Sequence, residues 1–177
     1  MNYTRCVLLG GVLLSAVASV PLVAATPRLD DATAFAIFDQ ATTADIWTGR
    51  LGVKYGESAQ VRDLAKMVVT EHEAVQQMGR EWAKQAGVMA QPPANDASAQ
   101  NLANAIATLQ SKSGREFDEA YLRHEMAFHQ SVIDTIKASL LPAVQNAEFK
   151  ALMEKLLPNF EHHLAATKEA ARTLGIP

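Results

Sequence analysis

Cysteine is nearly missing. Of 177 residues only Cys6 is a cysteine, and it lies in an apolar N-terminal stretch, well upstream of the small residues that close it. Without that stretch the chain has no thiol, which excludes a disulfide framework and thiolate chemistry. A basic face is missing too. Lys and Arg number 16 against 19 Asp and Glu, with no like-charged block, and loss of Arg5 would take the net charge from −3 to −4. No nucleic-acid partner is expected from such a balance. There is no Glu-x-x-His pair, no Gly-rich phosphate loop and no serine in a nucleophile-elbow context. Carboxylate-bridged di-iron oxidation, phosphoryl transfer and serine hydrolysis are therefore disfavoured, and no catalytic residue is assigned. Nor is there a strand pattern, a repeat, or a second apolar run long enough to span a membrane.

The N-terminus reads as a leader. Arg5 supplies a positive start, Val7 to Val20 is a short apolar run interrupted by Pro21, and Val23-Ala24-Ala25 offers small residues for cleavage before Thr26. That pattern is a secretory signal rather than a membrane anchor. Cys6 is not placed to become the first mature residue, so no lipid anchor is expected. The expected organisation is a signal peptide over 1–25 and one domain over 26–177, large enough to bury a core.

What the mature chain has is helical periodicity. Steps of three and four residues connect Val61, Ala65, Val68, His72, Val75, Gly79 and Trp82. They connect Leu122, Met126, His129, Ile133, Ile136 and Leu140, and again Phe149, Met153, Leu156, Phe160, His163, Thr167, Ala170 and Leu174. Each is the buried stripe of a helix packed on other helices. Each carries one histidine.

In chain order, Asp30 and Asp31 cap a first helix from Ala32 to about Tyr55. Its inward positions are Phe35, Phe38, Thr42, Asp45, Gly49 and Gly52. Two mid-helix glycines cost about 1 kcal/mol each relative to alanine, which close approach of a neighbouring helix would explain. Gly56 closes this helix, as a residue tolerant of left-handed geometry. Ser58 caps a second helix that ends at Gly87, and the Pro92-Pro93 region is a loop. A short helix spans Ala97 to Gln110. Ser113 and Glu116 form a capping box for a helix from Arg115 to Leu140. Asn146 caps the last helix, which Pro158 should kink and Gly175 ends. The expected fold is all-α: a four-helix bundle with one extra short helix.

Rises of 1.5 Å per residue locate the polar seam residues. With both short turns at one end of an antiparallel bundle, Asp45 lies about 14 Å from that end, His129 about 18 Å, His72 about 21 Å and His163 about 25 Å. Asp45, His129 and His72 converge, and His163 sits lowest. Glu71, His124, Glu125 and His162 flank the seam, and Glu125 and His129 are four apart on one face. One carboxylate with two or three imidazoles suits zinc, copper or non-haem iron, which makes Asp45, His72, His129 and His163 the candidate metal ligands. The competing reading is a metal-free polar core, with neutral histidines bonded to Asp45, Thr42, Thr167, Tyr121 or trapped water. Met67, Met78, Met126 and Met153, and the aromatics Phe35, Phe38, Phe117, Tyr121, Phe128 and Phe160, read as core.

Four runs resemble one family's motifs in order: Asp45-Ile46-Trp47-Thr48-Gly49-Arg50-Leu51; Ala65-Lys66-Met67-Val68-Val69-Thr70-Glu71-His72; Phe117-Asp118-Glu119-Ala120-Tyr121 followed by His129; and Leu157-Pro158 followed by His163-Leu164. The chain is similar, over about Ala32 to Leu174, to an exported bacterial domain of unknown function with a ferritin-like fold. Members of that family are often labelled predicted outer membrane proteins. Asp45 stands where the family's glutamate is usual, and Glu71 where its aspartate is. The resemblance implies the helical architecture and export, and brings no established activity, substrate or metal.

Three functional classes follow. One is a soluble periplasmic domain binding a transition metal. Another is a metal-free structural or partner-binding envelope protein connected with stress, with no residue identifying the protein partner. The third is a redox enzyme of ferritin-like descent. Nothing in the sequence sets the oligomeric state.

Overall fold

The computed structural model describes residues 29–176. The leader reading and the cleavage before Thr26 lie outside them. The elements are α1 (Asp31–Tyr55), α2 (Ala59–Ala86), α3 (Ser98–Gln110), α4 (Gly114–Thr135), a π-helical turn (Ile136–Leu140), α5 (Leu141–Ala143, a single turn) and α6 (Ala147–Thr173), with no strand among the described residues. The domain is an all-α bundle of α1, α2, α4 and α6 with α3 as the extra short helix.

Most ends follow the side chains foreseen. Asp30 accepts from the Thr33 N–H at 2.8 Å, Ser58 from the Val61 N–H at 3.2 Å, and Asn146 from the Glu148 and Phe149 N–H groups at 3.0 Å each. Each supplies an orphan helix donor with an acceptor. Gly87 closes α2 at φ 67. Asp31 does more than begin a helix: its carboxylate accepts from the Gln145 N–H at 2.7 Å and the Asn146 N–H at 3.0 Å.

Three local expectations are corrected. Gly56 is not left-handed, having φ −54 and ψ 125. Its small size is needed because a Cβ there would lie 2.6 Å from the Gly52 carbonyl oxygen. Ser113 is the N-cap of α4 but makes no side-chain capping bond. Gly114, at φ 56, turns the chain out of the path that would aim the Ser113 hydroxyl at the next turn's donors. The third long helix is also not regular to Leu140. Pro142 has no N–H to offer Ala138, and just before it the ladder slips to π spacing, with the Leu141 N–H bonded to the Ile136 carbonyl. Helix α6 runs through Pro158 to Thr173.

The seams are buried as their spacing predicts except at Met126, Ala170 and Leu174, which are half-buried, and the glycines of α1 do mark a close approach. A Cβ on Gly49 would meet Val69 of α2 at 2.7 Å, and one on Gly52 would meet Ala65 and the Tyr121 ring at 2.7 Å.

Chain direction differs from the simple alternation assumed above. The Glu57 and Ser58 N–H groups donate to the Asp118 carboxylate at 2.8 and 2.9 Å, so the α1–α2 turn sits at the start of α4. The α5–α6 turn sits instead at the start of α1, through Asp31, and at the end of α2, where Trp82 stacks on Phe149 with ring centroids 4.0 Å apart. The two short turns therefore lie at opposite ends. The 87–97 loop and α3 carry the chain back along the bundle, and α4 runs parallel to α2.

That path moves the seam residues into register. Measured from the α1–α2 turn, Asp45 and His163 each lie about 15 Å along the bundle, His72 about 20 Å and His129 about 22 Å. His163 is not the low outlier. One apolar cluster, including Phe35, Phe38, Trp82, Phe149, Met153 and Phe160, fills one end of the bundle. A second, including Val61, Leu64, Phe117, Tyr121 and Leu122, fills the other. The polar residues form a layer between them.

Candidate metal centre

Among the described residues nine that are polar or charged are buried, namely Thr42, Asp45, Thr48, His72, Asp118, Glu125, His129, His163 and Thr167, and no lysine or arginine is among them. Asp118 is spent on the α1–α2 turn. Most of the others form the layer between the apolar clusters.

Each ring is held by its own helix or a neighbour. The Nδ1–H of His72 donates to the Val68 carbonyl at 3.0 Å, and that of His129 to the Glu125 carbonyl at 3.0 Å, both one turn back. A carbonyl only accepts, so the proton of each neutral ring is on Nδ1 and the lone pair is on Nε2. His163 instead directs Nε2 at Glu71 Oε2, 2.8 Å away, and its Nδ1 is buried without a partner.

The lone pairs converge. His72, His129 and His163 each offer a ring nitrogen within 4.8 Å of the other two, and Asp45, Glu125 and His129 form a second such trio. Asp45 Oδ2 lies 3.0 Å from His72 Nε2 and 3.4 Å from His129 Nε2. Four ligands on a tetrahedral ion with bonds near 2.0 Å are about 3.3 Å apart, so the separations of Asp45 from His72 and His129 suit one small ion. The other ring nitrogen of His72 and His129 is tied to a backbone carbonyl and that of His163 to a carboxylate, the outer contacts that orient metal-bound imidazoles.

Of the four sequence candidates, His72, His129 and His163 form one trio, and Asp45 meets two of its members, His72 and His129. Glu125 was recognised only as a neighbour. It is fully buried, with Oε2 3.5 Å from His129 Nδ1 and Oε1 accepting from the Thr48 hydroxyl at 3.5 Å. Its position four residues before His129 was the available signal. The other flanking residues separate: Glu71 reaches His163, His162 is exposed, and His124 is half-buried off the layer.

The layer has acceptors but too few donors. Asp45 Oδ1 and Oδ2, Glu125 Oε2, His129 Nε2 and His163 Nδ1 are buried acceptors without a hydrogen-bond partner, beside the Tyr121 hydroxyl as an unpartnered donor. Burial pushes the His72 and His129 pKa values down to about 4. Burial also lowers His163, reinforced by His72. It raises Asp45 against the opposing pull of His129, and carries Glu125 well above the usual carboxylate range with help from Asp45. Every shift favours neutral forms, as expected when charge is buried without a counterion. A cation at the centre would reverse that preference.

Fold and site together define a helical bundle with a buried histidine–carboxylate layer. The chain belongs to the DUF4142 family, domains of unknown function, whose family model matches residues 18–170. No curated protein and no solved structure matches it. No described helix is long and apolar enough to cross a membrane.

Proposed function

We propose that the domain binds one divalent first-row transition-metal ion through Asp45, His72, His129 and His163, with Glu125 beside it. One observation carries this reading. Three imidazole lone pairs and a carboxylate face one another in a buried layer that contains no lysine or arginine. Either protons or a cation must compensate them, and the separations suit a cation. Nitrogen and oxygen donors without thiolate accept zinc, copper or iron(II).

The single long crossover through α3 supports a ferritin-like connection. The leader supports export, which would give the centre a periplasmic setting. In the periplasmic fraction, an intact mass corresponding to a chain starting at Thr26 tests that part.

The metal is tested by native mass spectrometry with elemental analysis, then by titration of the chelated protein with zinc, copper(II) and anaerobic iron(II). One equivalent per chain is expected, lost in the His72→Ala, His129→Ala double variant. Asp45→Asn and His163→Gln supply independent checks should the double variant fail to fold. At a free ion concentration about 100 times Kd, binding adds about 2.7 kcal/mol, several degrees in Tm for a domain of this size. Absence of stoichiometric metal, or metal retained unchanged by the folded variants, would leave the metal-free polar core as the answer.

A further inference from the structure

A cavity of about 290 Å³ lies between α1, α3, α4 and the π-helical turn. Small residues open it: Ala41 and Ala44 on α1 and Ala105 on α3 stand where a filled core would place larger side chains. Ile136 and Leu140 of the π-helical turn form part of the wall, at a kind of irregularity that often marks functional sites. Thr48 and Phe160 separate the cavity from the buried layer. Thr48 bonds Glu125, and Phe160 packs on His72 with ring centroids 5.2 Å apart.

The lining is largely aliphatic and aromatic, and no charged residue contributes to it. One group points to a ligand. His124 lines the cavity, and its Nε2 is buried without a hydrogen-bond partner. An apolar cavity of about 150 Å³ accommodates benzene, and ligand sites begin near 300 Å³. The space here suits a molecule of about ten heavy atoms by that comparison. An anionic head would find no cation in the lining. A hydroxyl both donates and accepts, so it satisfies the His124 Nε2 in either tautomer.

We propose that this cavity binds a neutral, mainly apolar small molecule carrying one hydroxyl, an alkylphenol-like chemistry, with the hydroxyl paired to His124. The assignment does not depend on a metal in the adjacent layer.

The test is calorimetric and ligand-observed NMR titration of the chelated full domain with 4-propylphenol and with propylbenzene, which lacks the hydroxyl. One 4-propylphenol per chain is expected, with Kd on the order of 0.1–1 mM for a ligand this small. Propylbenzene should bind roughly threefold to tenfold more weakly, the worth of one hydrogen bond. In His124→Leu that preference should collapse towards equality. Ala105→Phe and Ala41→Leu each fill the cavity from a different helix, and either folded variant should lose at least about tenfold in affinity for both probes. No binding of 4-propylphenol at 10 mM, about tenfold above its weakest expected Kd, would overturn the proposal. So would affinity untouched by the filled variants, or a hydroxyl preference that survives His124→Leu. Because the titrations are made on chelated protein, failure here leaves the metal reading standing.

Discussion

His163 directs its Nε2 at Glu71 Oε2 across 2.8 Å, from a buried ring to a carboxylate that reaches the surface. The contact joins α6 to α2 and leaves His163 Nδ1 as the unpartnered nitrogen in the layer. Glu71 thus orients a ring that the proposed ion would use, without touching the ion itself. Loss of such an outer contact typically costs 10- to 100-fold in metal affinity. Glu71→Ala should weaken zinc binding by about tenfold in chelator competition, and should cost the metal-free fold about 1–3 kcal/mol because the buried His163 Nε2–H loses its acceptor. A Kd unchanged by the substitution would show that Glu71 does not position the ring.

The chelated protein should have two opposing pH limbs. His72 and His129 titrate near pH 4 in the fold, against about 6.5 when unfolded. Between these values the unfolded chain holds more protons. Stability therefore falls as pH drops from about 6.5 to 4, and these groups cause no further loss below that. Asp45 and Glu125 act oppositely. Their raised values mean that the fold holds more protons than the unfolded chain above about pH 4, so stability falls as pH rises towards their folded pKa values. His72→Gln should flatten the acid limb and Glu125→Gln the other. Melting curves recorded across pH 4 to 8 would refute this if neither substitution altered the profile.

The two glycines of α1 should respond differently to alanine. Either substitution gains about 1 kcal/mol of helix propensity. At Gly49 the new methyl meets a terminal methyl of Val69, a partly exposed side chain that can turn away, so the net change in urea unfolding should be close to zero. At Gly52 it meets Ala65 Cβ and the buried Tyr121 ring, neither of which can yield. Overpacking of about 1–3 kcal/mol should then dominate. Equal effects at both sites would contradict the packing argument.

Asp118 pins the α1–α2 turn to α4 through two backbone N–H groups. Asp118→Ala would leave both donors without their charged acceptor, at a cost of about 2–4 kcal/mol. Asp118→Asn keeps one acceptor oxygen and should recover part of that. Amide exchange at Glu57 and Ser58 should speed up in the alanine variant before global unfolding does. Unchanged exchange there would count against the pinning role.

The helices were legible because their spacing is local. Phe35, Phe38, Thr42, Asp45, Gly49 and Gly52 were assigned inward from periodicity alone, and all are buried. The caps at Asp30, Ser58 and Asn146 were legible for the same reason, since a cap bonds within a few residues of itself. Glu125 was less so: it lies on the inner face four residues before His129, but spacing along one helix does not say what faces it from α1. The cavity was not legible, since a void is a relation among α1, α3 and α4.

The sequence by itself determined that three helices each bury one imidazole and that a fourth buries a carboxylate. Hydrophobic periodicity selects the buried face, and these residues lie on it. The tertiary structure decided that the four groups share one layer. Loop lengths do not reveal at which end of a bundle a turn sits. Return of the chain through α3 makes α4 parallel to α2 and places the two short turns at opposite ends. That reversal lifts His163 from the far edge of the seam into reach of His72 and His129, with ring centroids 4.8 and 5.4 Å away.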